Sequence, residues 1–212
     1  MGEHKVKTSS KSKTNPYPIS QPKKMATSSS KKSNLTSLLQ NASSNTATFV
    51  RCPTATLQRL RHLHEAEWIT LFTPVVPHPP ATILARNMDP FEPLGRALPR
   101  QVRHVPYRMD NGMTETHADF LPPAGAIIIV MCTTENVMSH NSYAFHQQVE
   151  FARAIQKKAN ESRNSAHVPL ILVLVTDNQT HEPAVSDFPA LVTNTEYTTQ
   201  ALANAVQVLF GS

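Results

Sequence analysis

The sequence predicts an α/β fold, a three-layer sandwich whose mostly parallel sheet carries helices on both faces, behind a disordered basic N-terminal tail. Three observations predict it. Four strand-like apolar runs lie in the last two-thirds of the chain: Trp68 to Pro74, Ala126 to Cys132, Val168 to Asp177 and Phe188 to Thr195. Two of them, AIIIVMC and VPLILVLVTD, are continuously apolar rather than alternating, as in strands buried on both faces of a parallel sheet. Helical or loop segments separate the runs, which implies right-handed crossovers and a doubly wound sheet.

The elements follow in order. Residues 1–48 hold eight Lys and no Arg against one Glu, a net charge of +7, and few large side chains. Such a composition cannot bury enough apolar surface to offset its ordering entropy, so a disordered tail is expected. A single domain is expected over 49–212. Leu57, Leu60 and Leu63 stand at helical spacing within residues 53–67, ahead of the strand at Trp68. The proline-rich TPVVPHPPAT then excludes both helix and central strand. DPFEPLGRAL (Asp89 to Leu98) reads as a short, proline-interrupted helix. VRHVPY (Val102 to Tyr107) alternates, as an edge strand does. THADFL (Thr116 to Leu121) reads as one or two helical turns ended by Pro122 and Pro123.

Ser142 to Ala159 is the best helix. Tyr143, Phe145, Val149, Ala152 and Ile155 form its apolar stripe, while Gln148, Arg153, Gln156 and Lys157 are expected to fall away from it. Thr198 or Thr199 caps a last helix over Gln200 to Phe210, and Gly211 ends it.

The charge is uneven. The whole chain carries +5, so the part after residue 48 carries −2 and the basicity belongs to the tail. Apart from Tyr17 the tail lacks aromatic residues to stack bases, so a nucleic-acid partner is not expected. The clusters PKK at 22–24 and SKK at 30–32 leave a nuclear address open beside a cytoplasmic one. Cys52 and Cys132 have no metal-ligand spacing, and nothing calls for an oxidising compartment. No secretory h-region opens the chain, and no apolar run approaches the ~20 residues of a membrane helix. A soluble intracellular protein without a membrane partner is expected.

Tests for chemistry return little. Neither G-x-G-x-x-G nor G-x-x-x-x-G-K-[ST] occurs among five glycines, which argues against a nucleotide or flavin cofactor. G-x-S-x-G is absent. Of ten histidines none falls in H-E-x-x-H or another metal spacing, so no metal is expected. Asp110, Glu115, Asp119, Glu135 and Asp177 are carboxylates without a readable pairing. Asp177 ends a buried strand, where ligands of doubly wound sheets bind; an aspartate capping loop N–H groups is the plainer expectation there.

Three stretches carry a resemblance. RHVPYRMDNGMTETHADFL (Arg103 to Leu121) leads into AIIIVMCTTEN, and HQQVEFARAIQ (His146 to Gln156) precedes PLILVLVTD. The end reads FPALVTNTEYTTQALANAVQVLFG (Phe188 to Gly211). Over residues 68–211 the chain resembles the C-terminal α/β-sandwich domain of family 3 glycoside hydrolases of the β-N-acetylglucosaminidase type, found in fungi and bacteria. Glu196-Tyr197-Thr198 and Val208-Leu209-Phe210-Gly211 match its closing motif. The catalytic (β/α)₈ barrel of that family, which holds the nucleophile and the acid/base, finds no counterpart here. The resemblance therefore implies an orphan or truncated domain with no catalytic residue and no hydrolysis of O-glycosyl bonds by itself. Its implied partners are a glycosidase barrel or an N-acetylglucosamine-type sugar. Thr114, Glu115 and His117 match the family's pattern and, with Asp177, are the residues that would face a ligand or partner. A capped turn at Thr114 or Thr116 is the alternative. Two rival functions stand beside this one: an accessory subunit that completes a sugar site on a separate barrel, and a flavodoxin-like interaction module recruited through its basic tail.

Overall fold

The structure, a computed structural model, describes Gly2 and residues 46–80, 82–161 and 167–211. All of these but Gly2 belong to the unit Lys32–Ser212. Most of the tail expected to be disordered lies outside the described residues.

Six strands form one sheet: β1 (Ala47–Arg51), β2 (Trp68–Pro74), β3 (Gln101–Tyr107), β4 (Ala124–Cys132), β5 (Leu170–Val175) and β6 (Leu191–Asn194). Their order is β1-β6-β5-β4-β2-β3, and all neighbours are parallel except β1 against β6. The helices are α1 (Thr54–Arg61), α2 (Glu92–Ala97), α3 (Glu115–Asp119), α4 (Glu135–Met138), α5 (Ala144–Glu161) and α6 (Thr199–Phe210).

The alternation of side chains across the pleat divides the core in two. Ile69, Leu71, Ile128, Val130, Ile171 and Val173 face α1, α2 and α6 through Leu60, Leu94, Leu202 and Leu209. Phe72, Ile127, Ile129, Leu172 and Leu174 face α5 through Val149, Phe151, Ala152 and Ile155. Every residue of β4 is buried, which is why its sequence is apolar without a break. β3 is the edge strand that its alternation predicts. Thr198 caps α6 by accepting from the Ala201 N–H at 3.3 Å, and Gly211 ends it at φ 78°, where a Cβ is disfavoured.

Four expectations need correction. The boundary after residue 48 falls inside a strand, because β1 starts at Ala47 and pairs antiparallel with β6. The runs at Val168 and Phe188 extend beyond their strands. Phe188 instead follows a 3₁₀ turn at Pro183–Val185 and fills the core fully buried. Tyr143 is 72% exposed, because it precedes α5 and helical spacing does not apply to it. Gln148 faces inward, fully buried.

Gln148 completes the sheet. The pairing of β2 with β4 ends at Phe72 and Ile129, so Cys132 has no β2 residue beside it. The Gln148 side chain takes that place. It accepts from the Cys132 N–H at 2.7 Å and donates to the Cys132 carbonyl at 2.8 Å and to the Ala144 carbonyl at 3.0 Å. Buried backbone groups are thereby satisfied by one amide.

Candidate functional site

The connections from β2 through β3 to β4 reverse direction across the sheet. β2 and β4 are neighbours, and the chain leaves β2 for β3 on one side and continues from β4 toward β5 and β6 on the other. In doubly wound sheets the crevice outside the carboxyl ends at such a reversal is where ligands bind. A pocket of about 700 Å³ lies there. Pro79 and Pro80 after β2, the segment Thr134–Asn136 with Ser139 after β4, Asp177 after β5 and Thr195–Thr198 after β6 line it. Its volume is that of a small-molecule site.

Hydrogen bonds between the loops fix its shape. The Asn136 amide donates to the His78 carbonyl at 3.0 Å and to the Tyr197 hydroxyl at 2.8 Å. Tyr197 donates in turn to the Pro77 carbonyl at 3.0 Å. Its ring stacks on Phe91 with centroids 5.7 Å apart, and burial pushes its hydroxyl up to about 12. The neutral phenol is therefore a fixed donor. Asp177 accepts from the Glu135 N–H at 2.7 Å and ties the β5 loop to the start of α4. Thr133 is bound from the other side by His181, whose Nδ1 lies 2.9 Å from the Thr133 hydroxyl and whose ring stacks on Phe145 at 4.1 Å. Burial holds His181 below the ordinary histidine range, against the pull of Asp177.

The wall has a plain chemical character. Glu135, Asp177 and Glu196 supply carboxylates, Thr134, Ser139, Thr195 and Thr198 hydroxyls, and Pro79, Pro80 and Tyr197 apolar surface. Among the described residues no Lys, Arg, His or Cys side chain lines it. The Ser139 hydroxyl donates to the Asn136 carbonyl at 3.1 Å and stands 3.5 Å from His140 Nδ1, which is itself 2.7 Å from that same carbonyl. The wall can accept hydrogen bonds from a polyhydroxylated ligand and stack its apolar face. Among the described residues no three His, Cys, Asp or Glu side chains are grouped to hold a metal ion.

Of the four residues singled out from sequence, Asp177 lines this pocket and the other three do not. Thr114 and His117 form a capping box at α3, in which the Thr114 N–H donates to His117 Nδ1 at 3.0 Å. The His117 ring is buried edge-on against Phe72 and Phe151. Burial depresses its pKa, opposed by a hydrogen bond to the backbone of Pro106. Glu115 is exposed in the first turn of α3. Sequence reasoning missed Asn136, and it read Tyr197 as part of a motif rather than as a lining residue.

No family model matches the sequence, and no curated protein matches it. Solved structures similar to the chain include a fungal multi-domain GH3 β-N-acetylglucosaminidase with a GCN5-related glucosamine N-acetyltransferase region. It shares 17% identity at a TM-score of 0.49 over 78% of this chain and 16% of its own. A GH3 β-N-acetylglucosaminidase from Paenibacillus sp. str. FPU-7 shares 15% identity at 0.49, over 78% of this chain and 28% of its own. The chain thus spans less than a third of either protein.

Proposed function

We propose that this chain is a non-hydrolytic α/β domain related to the C-terminal domains of family 3 β-N-acetylglucosaminidases, and that it holds an N-acetylglucosamine-type sugar in the carboxyl-end pocket. The observation that carries the reading is the pocket wall, with carboxylates and hydroxyls beside proline and tyrosine surface and no Lys, Arg, His or Cys among the described lining residues. The closing motif Glu196-Tyr197-Thr198 supports the relation to the family, and it supplies three of the lining residues. Both cysteines are free thiols, which fits a reducing compartment, the cytoplasm or the nucleus. No helix among the described residues is long and apolar enough to cross a membrane.

Two measurements test this. The chain alone is expected not to release 4-nitrophenol from 4-nitrophenyl N-acetyl-β-glucosaminide; turnover would overturn the non-hydrolytic part. N-acetylglucosamine and chitobiose are expected to shift amide resonances of residues 134–139 and 195–198, and Glu196→Gln to weaken the effect. An unchanged spectrum at saturating sugar would overturn the ligand.

A second reading is an accessory subunit for a separately encoded barrel. It is favoured by Val75, Ile83 and Tyr143, exposed at 51, 71 and 72% in the connections that leave β2 and β4 at their carboxyl ends. Hydrolysis appearing only on mixing chain and barrel would select it.

A further inference from the structure

The arginines of the described residues are spoken for, with two exceptions. Arg51, Arg61 and Arg100 donate to backbone carbonyls, and Arg59, Arg96, Arg108 and Arg153 pair with carboxylates. Arg86 is exposed on a loop. Arg103 is different. It is half-buried on the edge strand β3, its guanidinium carbon is 5.0 Å from the centre of the Trp68 ring and 5.2 Å from that of Phe120, and its side chain makes no hydrogen bond or ion pair among the described residues.

The surroundings keep it free. Arg103 pairs in register with Thr70 on β2, and Trp68 stands two residues earlier on the same face. Thr70 donates to the Phe120 carbonyl at 3.1 Å, which fixes the second aromatic ring. Glu67, the carboxylate next to Trp68 in sequence, is engaged by Arg59 and the His64 N–H. Aromatic faces attract the guanidinium and orient it, but they accept none of its N–H bonds. The Arg103 nitrogens are not among the buried atoms left without a partner, so water fills the fork and a ligand oxyanion can take its place. Trp68 remains 38% exposed beside it.

We propose that Arg103, Trp68 and Phe120 form a binding site for an oxyanion carried on a ring body, a carboxylate or a phosphate that takes two parallel N–H bonds from Arg103 while the ring packs on the exposed indole. Planar guanidinium suits both anions in bidentate geometry, and the ring body matches the remaining apolar surface. The site lies toward the amino ends of β2 and β3, away from the carboxyl-end pocket, and does not depend on the reading given to that pocket.

Trp68 is the chain's only tryptophan, so its fluorescence reports on this site alone. Full-length protein is titrated with glucuronate and with glucose 6-phosphate, using glucose and sodium chloride at matched ionic strength as controls. A saturable change in Trp68 emission is expected with at least one of the two anions and with neither control. Glucuronate alone identifies a carboxylate site, glucose 6-phosphate alone a phosphate site, and both identify a shared fork. Arg103→Gln is expected to weaken binding about tenfold or more, the loss of a bidentate charge-assisted pair. Arg103→Lys keeps the charge and tests the planar fork; it should also bind more weakly than the parent. No anion-specific change, or binding by Arg103→Gln as tight as the parent's, overturns the proposal.

Discussion

Replacing Gln148 by Leu removes the amide that substitutes for a missing strand at the end of β4. The parent side chain is fully buried and bonds both backbone groups of Cys132, which is itself fully buried. Leucine fills a similar volume, so no large cavity adds to the effect. What remains is one buried N–H and one buried carbonyl without partners, each costing about 1–3 kcal/mol. The expected loss is therefore roughly 2–6 kcal/mol, reduced by the relief of no longer burying an amide, or about 2–4 kcal/mol in all. Against a typical domain stability of about 5–15 kcal/mol this is a large share. Urea unfolding followed by circular dichroism reads it as a lower midpoint at unchanged slope. Gln148→Glu supplies an internal control. A carboxylate accepts from the Cys132 N–H but repels the Cys132 carbonyl, whereas the protonated acid donates to that carbonyl as the amide does. The variant's carboxyl then has a folded pKa above its unfolded one, so its stability is lost as pH rises and regained as pH falls. A loss under about 0.5 kcal/mol in Gln148→Leu, the scale of an ordinary surface change, would refute the reasoning.

Other outcomes follow from the same geometry. Tyr197→Phe and Asn136→Ala each break the bridge between the β2, β4 and β6 loops and should each cost about 1–2 kcal/mol; the double variant should cost less than their sum, because both sit in one network. Gly125→Ala places a Cβ 2.6 Å from Glu67 Cβ and should destabilise by about 1–3 kcal/mol, measured by thermal unfolding. Burial lowers the pKa of both His117 and His181. The unfolded chain then takes up protons before the folded one does. Stability is full above the ordinary histidine value of about 6.5 and falls as pH drops from there toward the depressed native values. His117→Gln should flatten part of that slope in urea midpoints compared across the window.

The parallel strands were legible because burial on both faces leaves a continuous apolar run, as in Ile127, Ile128, Ile129 and Val130. β1 was not. Its five residues follow a low-complexity stretch, and its pairing with β6 joins Ala47 to Asn194, a contact no local pattern encodes. Gln148 is hard to place from sequence because its polarity conflicts with its position. It stands four residues before Ala152 and seven before Ile155, inside the stripe that helical geometry turns inward. At the pocket, Asp177 was visible because it ends a buried strand. Asn136 and Tyr197 were not, since their roles arise from bonds across 58 to 120 residues of sequence between loops. Around His117 the sequence offers two readings, a face toward a ligand or partner and a capped turn at Thr114 or Thr116; the turn forms at Thr114, with the His117 nitrogen in the cap and its ring in the core.

The two surfaces argued above occupy opposite ends of β2. Trp68 is its first residue and Pro74 its last, six residues or about 20 Å apart. Between them Ile69 to Phe72 are fully or almost fully buried and paired on both sides, with β3 and with β4. Packing of that density has no second arrangement for an event at one end to select. Coupling between two sites needs an element with two states that both sites bias. None lies along β2, so the sites should act independently. The expected result is that Arg103→Gln leaves the sugar-induced shifts at residues 134–139 and 195–198 unchanged, and that Glu196→Gln leaves the anion response of Trp68 unchanged. A variant at one end that alters binding at the other by more than about twofold, a coupling of roughly 0.4 kcal/mol, would show that the sheet between them moves.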